Sequence, residues 1–497
     1  MWLEVHKMKS KLSNNIIISY IGVFLIIIGV INLIPLLVLV AYPEEFIYGK
    51  YFFIPGVLSM ILGLIIKKII PINKNKKLSV GEDAVIVTLT WILAIFISAM
   101  PFYLSDMLNF TQSIFEAVSG WTTTGLSVVD VDNCPKIYLI HRSIMNFFGG
   151  VGIVLVMVSA LSATFGMSLY NCEGHLDNLL PNLLKSSRLI LSIYSGYVIS
   201  GIVLYCIFGM PLFDAINNSI AALSTGGFGV RSESIGAYNS FSIELVTIIL
   251  MLLGTTNFAA HLLLIKGKFK KFFQLGEIKF MFFILGICVP LVGFFSLSYL
   301  YGNVYIGLRR SMFELISALT TTGFSTVTYN DWNGFAIFIM IILMIIGGGA
   351  GSTAGGIKLY RVYILCRNCI WNIKSKFASP HLVNEDYVYK PEGKVYIKDS
   401  DRKDISNYAF MYMTIYVIGV SIMLLNNYSL QDSLFEFASA LGTVGLSVGV
   451  TSPMAPAIIL WTEIFAMLFG RLEIWVIIIA VIKILNNMKR EKIEYNF

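Results

Sequence analysis

Charge is scarce in this chain. Of 497 residues only 13% are Asp, Glu, Lys or Arg while 57% are hydrophobic, and the mean hydropathy is +0.77, a composition that excludes a soluble domain. Histidine is equally sparse: His6, His141, His175, His261 and His381 are scattered without the spacing of a metal site. The six cysteines make no disulfide framework, with Cys134 expected outside, Cys206 and Cys288 in the membrane and Cys172 near the cytoplasmic surface. Cys366-Arg367-Asn368-Cys369 lacks a second pair and reads as two reduced thiols, not zinc. No cluster of His, Asp or Glu offers an enzyme active site at a membrane face. The net charge of +7 is assigned to cytoplasmic loops facing anionic membrane lipids, not to nucleic acid.

What the chain has in abundance is long uncharged runs. These are Leu12-Pro43, Tyr51-Ile66, Ala84-Ser105, Ser143-Cys172, Leu189-Phe213, Leu245-Ile265, Phe280-Gly302, Gly334-Ile357 and Ile405-Gln431, and a tenth, Pro456-Ile482, is interrupted by charges. Most approach or exceed the roughly 20 residues of a membrane-spanning helix. The first is too long for the apolar part of a signal peptide, about 7 to 15 residues, and reads as an uncleaved span. Ten spans follow: two at the N-terminus, then four pairs.

Lys and Arg set the orientation. Lys7, Lys9 and Lys11, the basic stretch Lys67 to Lys77, Lys185 with Arg188, Lys266 to Lys271, Lys358 to Lys376 and Lys489-Arg490 all fall on one side. Lys50, Lys136, Arg142, Arg231, Arg309 and Arg310 run against that asymmetry. Both termini are therefore expected in the cytoplasm, in a multi-pass protein of the cytoplasmic (inner) membrane.

Between the members of each pair stands a short polar, glycine-bearing stretch. The four read Trp121-Thr122-Thr123-Thr124-Gly125-Leu126, Ser224-Thr225-Gly226-Gly227-Phe228, Thr320-Thr321-Thr322-Gly323-Phe324 and Gly442-Thr443-Val444-Gly445-Leu446. Ten residues before the glycine, copies one, three and four carry Phe115-Glu116, Phe313-Glu314 and Phe435-Glu436; in copy two, Phe213-Asp214 lies fourteen back, about one helical turn further. Unpaired backbone at membrane depth must line water or be buried in protein. Four such stretches about one axis offer carbonyl oxygens that replace the hydration shell of a cation, with glycine supplying the dihedral that turns them inward and threonine hydroxyls adding a further layer. Each preceding apolar ten-mer is expected to be a pore helix whose negative C-terminal end favours a cation. Glu116, Glu314 and Glu436 are then read as stabilisers of the pore-helix N-termini, not as ion ligands.

These elements resemble the potassium-translocating subunits of the Trk/Ktr/HKT superfamily, and the N-terminal hairpin resembles the Trk branch, TrkH-like. Arg142-Ser143-Ile144 with Gly149-Gly150-Val151-Gly152, Gly254-Thr255-Thr256-Asn257-Phe258, the run Gly347 to Lys358, and Gly470-Arg471-Leu472-Glu473 strengthen it. The resemblance implies potassium uptake, a homodimer and a cytoplasmic nucleotide-binding regulatory ring of the TrkA/KtrA type. Glycine at position 125, where a serine accompanies sodium permeation in the superfamily, implies potassium. Gly226 and Val444 depart from the threonine of the other two copies, so hydroxyl coordination is expected to differ around the ring.

The expected fold is an all-α polytopic membrane protein: an N-terminal two-helix hairpin plus four helix–pore-loop–helix units in pseudo-fourfold arrangement around one central pore. The boundaries are 1-77 for the hairpin, 78-175, 176-272 and 273-373 for units one to three, 374-404 for a cytoplasmic surface loop without a domain of its own, and 405-497 for unit four. Filter residues are Thr123, Thr124, Gly125, Thr225, Gly226, Gly227, Thr321, Thr322, Gly323, Thr443, Val444 and Gly445, holding potassium as cargo; no cofactor is expected. Gly347, Gly348, Gly349, Gly351, Gly355 and Gly356 break the eighth span, since each glycine costs a helix about 1 kcal/mol, and make a mobile gate. Arg471, midway along Pro456-Ile482, should avoid lipid; it either projects into the conduit beside that loop or pairs with Glu463 or Glu473. The function expected is selective, gated potassium uptake, with a sodium- or proton-coupled symporter as the alternative.

Overall fold

A computed structural model describes residues 2–71, 81–152, 155, 183–377 and 386–495. The latter part of the fourth expected span, the basic residues Lys74, Lys76 and Lys77, His175 and His381 lie outside the described residues.

Two helices, Trp2–Leu33 and Gly49–Ile69, form the N-terminal hairpin. They pack through glycine: a Cβ on Gly29 would lie 2.6 Å from the Gly56 carbonyl, and one on Gly63 would lie 2.5 Å from that of Gly22. In hydrocarbon no hydrophobic force drives helices together, so close backbone approach and hydrogen bonds do it; Ser59 donates to the Leu25 carbonyl at 2.7 Å.

Each unit then has an outer helix, a short pore helix and an inner helix. The outer helices are Glu82–Leu104, Leu183–Ile207, Gly276–Val292 continued through a π turn to Tyr301, and Asp399–Leu425. The pore helices are Phe110–Trp121, Leu212–Leu223, Val304–Leu319 and Leu430–Leu441. At about 1.5 Å per residue the twelve-residue ones are only ~18 Å long and cannot cross a bilayer. Polar residues start three of them: Asn109 and Gln112 form a capping box, Asn303 accepts from the Tyr305 and Ile306 amides, and Ser429 accepts from the Asp432 amide.

The inner helices differ from the expected continuous spans. Among the described residues six segments are long and apolar enough to cross a membrane unbroken, and none is an inner helix. The first inner helix, Lys136–Val151, ends at Gly152; the second bends by 115° between Gly254 and Phe258; the third stops at Ile346; the fourth, Ala457–Arg471, bends by 103° before Ile474. Each break falls on a glycine-bearing motif singled out in the sequence. Arg471 is therefore the last residue of a helix at a bend, where a continuous helix was expected.

The units close into a cycle. The inner helix of unit one packs on the pore helix of unit two, that of two on three, that of three on four, and that of four on the pore helix of unit one. In the described part of 374-404 there is more regular structure than the expected surface loop. Tyr387–Lys390 and Gly393–Tyr396 pair as an antiparallel hairpin, with Val388 buried against Ile364, Ile397 and Ile405.

Candidate functional site: a ring of four backbone segments

Every pore helix ends immediately before its glycine stretch, so its partial negative end faces that stretch. The backbone there alternates in hand. Thr123, Thr225, Thr321 and Thr443 have φ of +54°, +51°, +55° and +49°; two residues on, Gly125, Gly227, Gly323 and Gly445 have φ of +92°, +59°, +80° and +97°. The residues between, Thr124, Gly226, Thr322 and Val444, keep an ordinary φ. Left-handed φ on a threonine costs about 1–2 kcal/mol, and four equivalent instances mark a conformation imposed by the surroundings.

The four segments touch in order. A Cβ built on Gly125 would lie 2.6 Å from the Gly226 carbonyl oxygen, one on Gly227 2.0 Å from that of Thr322, one on Gly323 2.0 Å from that of Val444, and one on Gly445 2.1 Å from that of Thr124. Each glycine thus abuts the neighbouring segment's carbonyl one residue before its own glycine, and the chain of contacts returns to its start. No residue with a side chain fits at these positions.

Carboxylates hold the segments from behind, but not where the sequence placed them. Glu116, Glu314 and Glu436 lie well inside their helices, not at the N-termini. Glu116 accepts from Ser127 at 3.0 Å and from the Val128 amide at 3.1 Å. Glu314 accepts from the Thr326 amide and hydroxyl at 2.7 Å and from Tyr329 at 2.6 Å. Glu436 accepts from Ser447 at 2.6 Å and from the Val448 and Thr451 amides. Each therefore clasps the limb that follows the glycine. In unit two the equivalent tie is Asp214 with Arg231 and Tyr238.

Arg142, which ran against the charge asymmetry, forms a buried pair with Glu116 at 2.7 Å. Arg231 pairs with Asp214, and Arg309 and Arg310 with Glu244; four of the six exceptions are thus matched by acids.

The departures at Gly226 and Val444 leave the four segments unequal in hydroxyl groups. The hydroxyls of Thr124 and Thr322 bond back to Thr122 and Thr320 at 2.7 and 2.8 Å, so they brace the loop. At Gly226 a Cβ would strike Asn146, 2.5 Å away, whose amide fills the space a side chain takes elsewhere.

The glycine-rich run leaves helix at Gly347 (φ +71°) and lies under unit two. The Gly349 amide donates to the Thr255 carbonyl at 3.0 Å, the Ala350 amide to Glu277 at 2.7 Å, and Asn257 to the Ala350 carbonyl at 2.7 Å. Gly348 and Gly356 pack tightly too, a Cβ on Gly348 falling 1.9 Å from the Thr255 hydroxyl, and Gly351 accepts from the Phe258 amide. The Arg471 guanidinium donates to the Thr353 carbonyl of this loop and to the carbonyls of Gly149 and Gly150, the latter at 2.9 Å. Of the two acids named as candidate partners, Glu473 pairs with Arg361 at 2.5 Å and Glu463 accepts from Thr451 at 3.0 Å.

Among the described residues no group of three His, Cys, Asp or Glu could hold a metal ion; the oxygens gathered here are neutral. A cyclic set of re-entrant backbone segments inside a mostly helical, multi-pass bundle defines a membrane protein that moves cations. The chain belongs to the TrkH family of cation transport proteins, whose model matches residues 52–493, a family of transporters and not of enzymes. It is 30% identical over 468 residues to an uncharacterised cation transporter of Methanocaldococcus jannaschii, covering 92% of this chain and 93% of that one. It is 33% identical over 417 residues to the Trk system potassium uptake protein TrkG of Escherichia coli K12, covering 81% and 85%. The crystal structure of the potassium transporter TrkH from Vibrio parahaemolyticus superposes with a TM-score of 0.82 at 25% identity, over 94% of this chain and 98% of that one.

Proposed function

We propose that this chain takes up potassium across the cytoplasmic membrane through one pore, with Thr123–Gly125, Thr225–Gly227, Thr321–Gly323 and Thr443–Gly445 as the selectivity filter. The closed cycle of glycine-to-carbonyl contacts carries the reading, because carbonyls fixed on four sides substitute for water around a cation of fitting size. The relatives named as potassium uptake proteins support potassium as the cargo. The loop from Gly347 to Gly356, latched by Arg471, is the gate. Units 78-175, 176-272, 273-373 and 405-497 each supply one quarter of the pore, and the hairpin 1-77 packs outside them. The chain works as a homodimer with both termini in the cytoplasm, under a cytoplasmic nucleotide-binding regulatory ring that meets the loop 374-404 and its hairpin.

The test is tracer flux in lipid vesicles with the membrane potential clamped. The expected result is potassium and rubidium uptake that follows the potential, excludes sodium and needs no sodium or proton gradient. Equal sodium and potassium flux, or no alkali-ion flux at any potential, would overturn the proposal.

A further inference from the structure

The four threonines that begin the filter segments, Thr123, Thr225, Thr321 and Thr443, are all buried and share one backbone conformation. Fourfold equivalence would give their hydroxyls the same surroundings. It does not. The Thr225 hydroxyl donates to the adjacent Ser224 carbonyl at 2.7 Å and lies 3.0 Å from the Thr353 hydroxyl, and Thr321 accepts from the Gly355 amide at 2.9 Å. The hydroxyls of Thr123 and Thr443 are buried with no hydrogen-bond partner. Thr353 itself is fixed by the Gly254 carbonyl at 2.9 Å. Gly355 is wedged against the remaining side, where a Cβ would lie 2.1 Å from the Thr443 hydroxyl and 2.4 Å from the Gly442 carbonyl.

The glycine-rich loop therefore does more than lie beneath the filter: it meets two of its four hydroxyls with polar groups and leaves two without a hydrogen-bond partner. A buried hydroxyl without a partner is costly, and a dehydrated alkali cation is a ligand that such hydroxyl oxygens and the adjacent carbonyls can satisfy. Resting on the filter reading above, we infer that the innermost alkali-cation site is built jointly by filter and loop, with Thr353 and Gly355 as positioning residues that set ion preference as well as rate. With the loop seated, the site offers the hydroxyls of Thr123 and Thr443; with the loop withdrawn, it offers all four. Ion binding and loop position are then linked, since an ion that favours four hydroxyls favours withdrawal. The loop has somewhere to go: a cavity of about 380 Å³ adjoins Ala350 and Gly351 and is lined by Lys358, Arg361 and Glu473.

The experiment compares full-length wild type with Thr353→Val, Thr353→Ser and Gly355→Ala in vesicles. It reads the half-saturating potassium concentration and the rubidium-to-potassium flux ratio alongside the maximal rate. None of the three changes touches the filter sequence. Thr353→Val, which takes the loop's hydroxyl away from the Thr225 oxygen, is expected to shift the half-saturating concentration by about threefold or more, the scale of one net hydrogen bond, and to change the ratio. Thr353→Ser keeps the hydroxyl and should restore wild-type values. Gly355→Ala, whose methyl has no room beside Thr443, should act in the same direction as Thr353→Val and stands in for it if that variant does not assemble. A changed maximal rate with half-saturation and ion ratio both at wild-type values would overturn the inference and leave the loop a simple plug. A wild-type protein that failed to prefer potassium over sodium would strike at the filter reading instead.

Discussion

Arg471→Gln should open the pore. The guanidinium joins two elements far apart in sequence, the loop at Thr353 and the end of the first inner helix at Gly149 and Gly150. A hydrogen bond from a charged donor contributes about 1.5–3 kcal/mol. Losing the bond to Thr353 alone, about 2 kcal/mol, shifts the balance between seated and withdrawn loop roughly thirtyfold. Basal rubidium uptake into vesicles, normalised to the protein incorporated, should rise by about ten- to thirtyfold while preference over sodium is kept. Arg471→Lys separates two causes. Lysine keeps the charge but not the planar fork that reaches several carbonyls at once, so a hydrogen-bonded latch predicts an intermediate flux. A fixed positive charge in the conduit predicts wild-type flux for lysine. Equal flux in all three proteins, or lysine indistinguishable from arginine, would refute the latch.

Further outcomes follow from the same geometry. Gly323→Ala places a methyl 2.0 Å from the Val444 carbonyl at a φ of +80°; the potassium-to-sodium flux ratio should fall at least about tenfold, since the backbone strain alone is about 1–2 kcal/mol. Glu116→Gln breaks the buried pair with Arg142 and should lower stability by about 3–5 kcal/mol, read as loss of the monodisperse peak on heating in detergent; Glu116→Gln with Arg142→Met should recover much of it, because no charge is left unpaired. Gly63→Leu should lower thermal stability through the N-terminal hairpin, where a Cβ already lies 2.5 Å from the Gly22 carbonyl, while leaving the potassium-to-sodium ratio unchanged.

The four glycine stretches were legible because their signal is local: a glycine between two apolar segments, repeated in phase, shows in the order of residues. The breaks in the inner helices were half legible. The run from Gly347 to Gly356 announces itself by density of glycine, whereas Gly254 and Gly470 are single residues whose effect depends on what they approach, the carbonyls of Leu223 and Leu441. Arg471 was placed in mid-span for the same reason. The carboxylates were misassigned because distance from a helix start was judged from the glycine backwards, and their partners, Thr326, Tyr329 and Thr451, lie on the other side of the filter in sequence. Arg142 was counted as a loop charge, although a basic residue on the wrong side of a charge asymmetry is itself a hint of a buried partner. The hairpin carried readable signs, the alternation Tyr387-Val388-Tyr389 and the turn residues Pro391-Glu392-Gly393, which the surrounding charges outweighed. Arg471's link to Gly149, 322 positions away, leaves no trace in local pattern.

The most direct measurement is the anomalous X-ray signal of rubidium or thallium soaked into crystals of the protein. The account predicts density within the ring made by residues 124–125, 226–227, 322–323 and 444–445, continuing inward to the level of Thr123 and Thr443. Anomalous density that avoids this ring and collects elsewhere among the helices would contradict it.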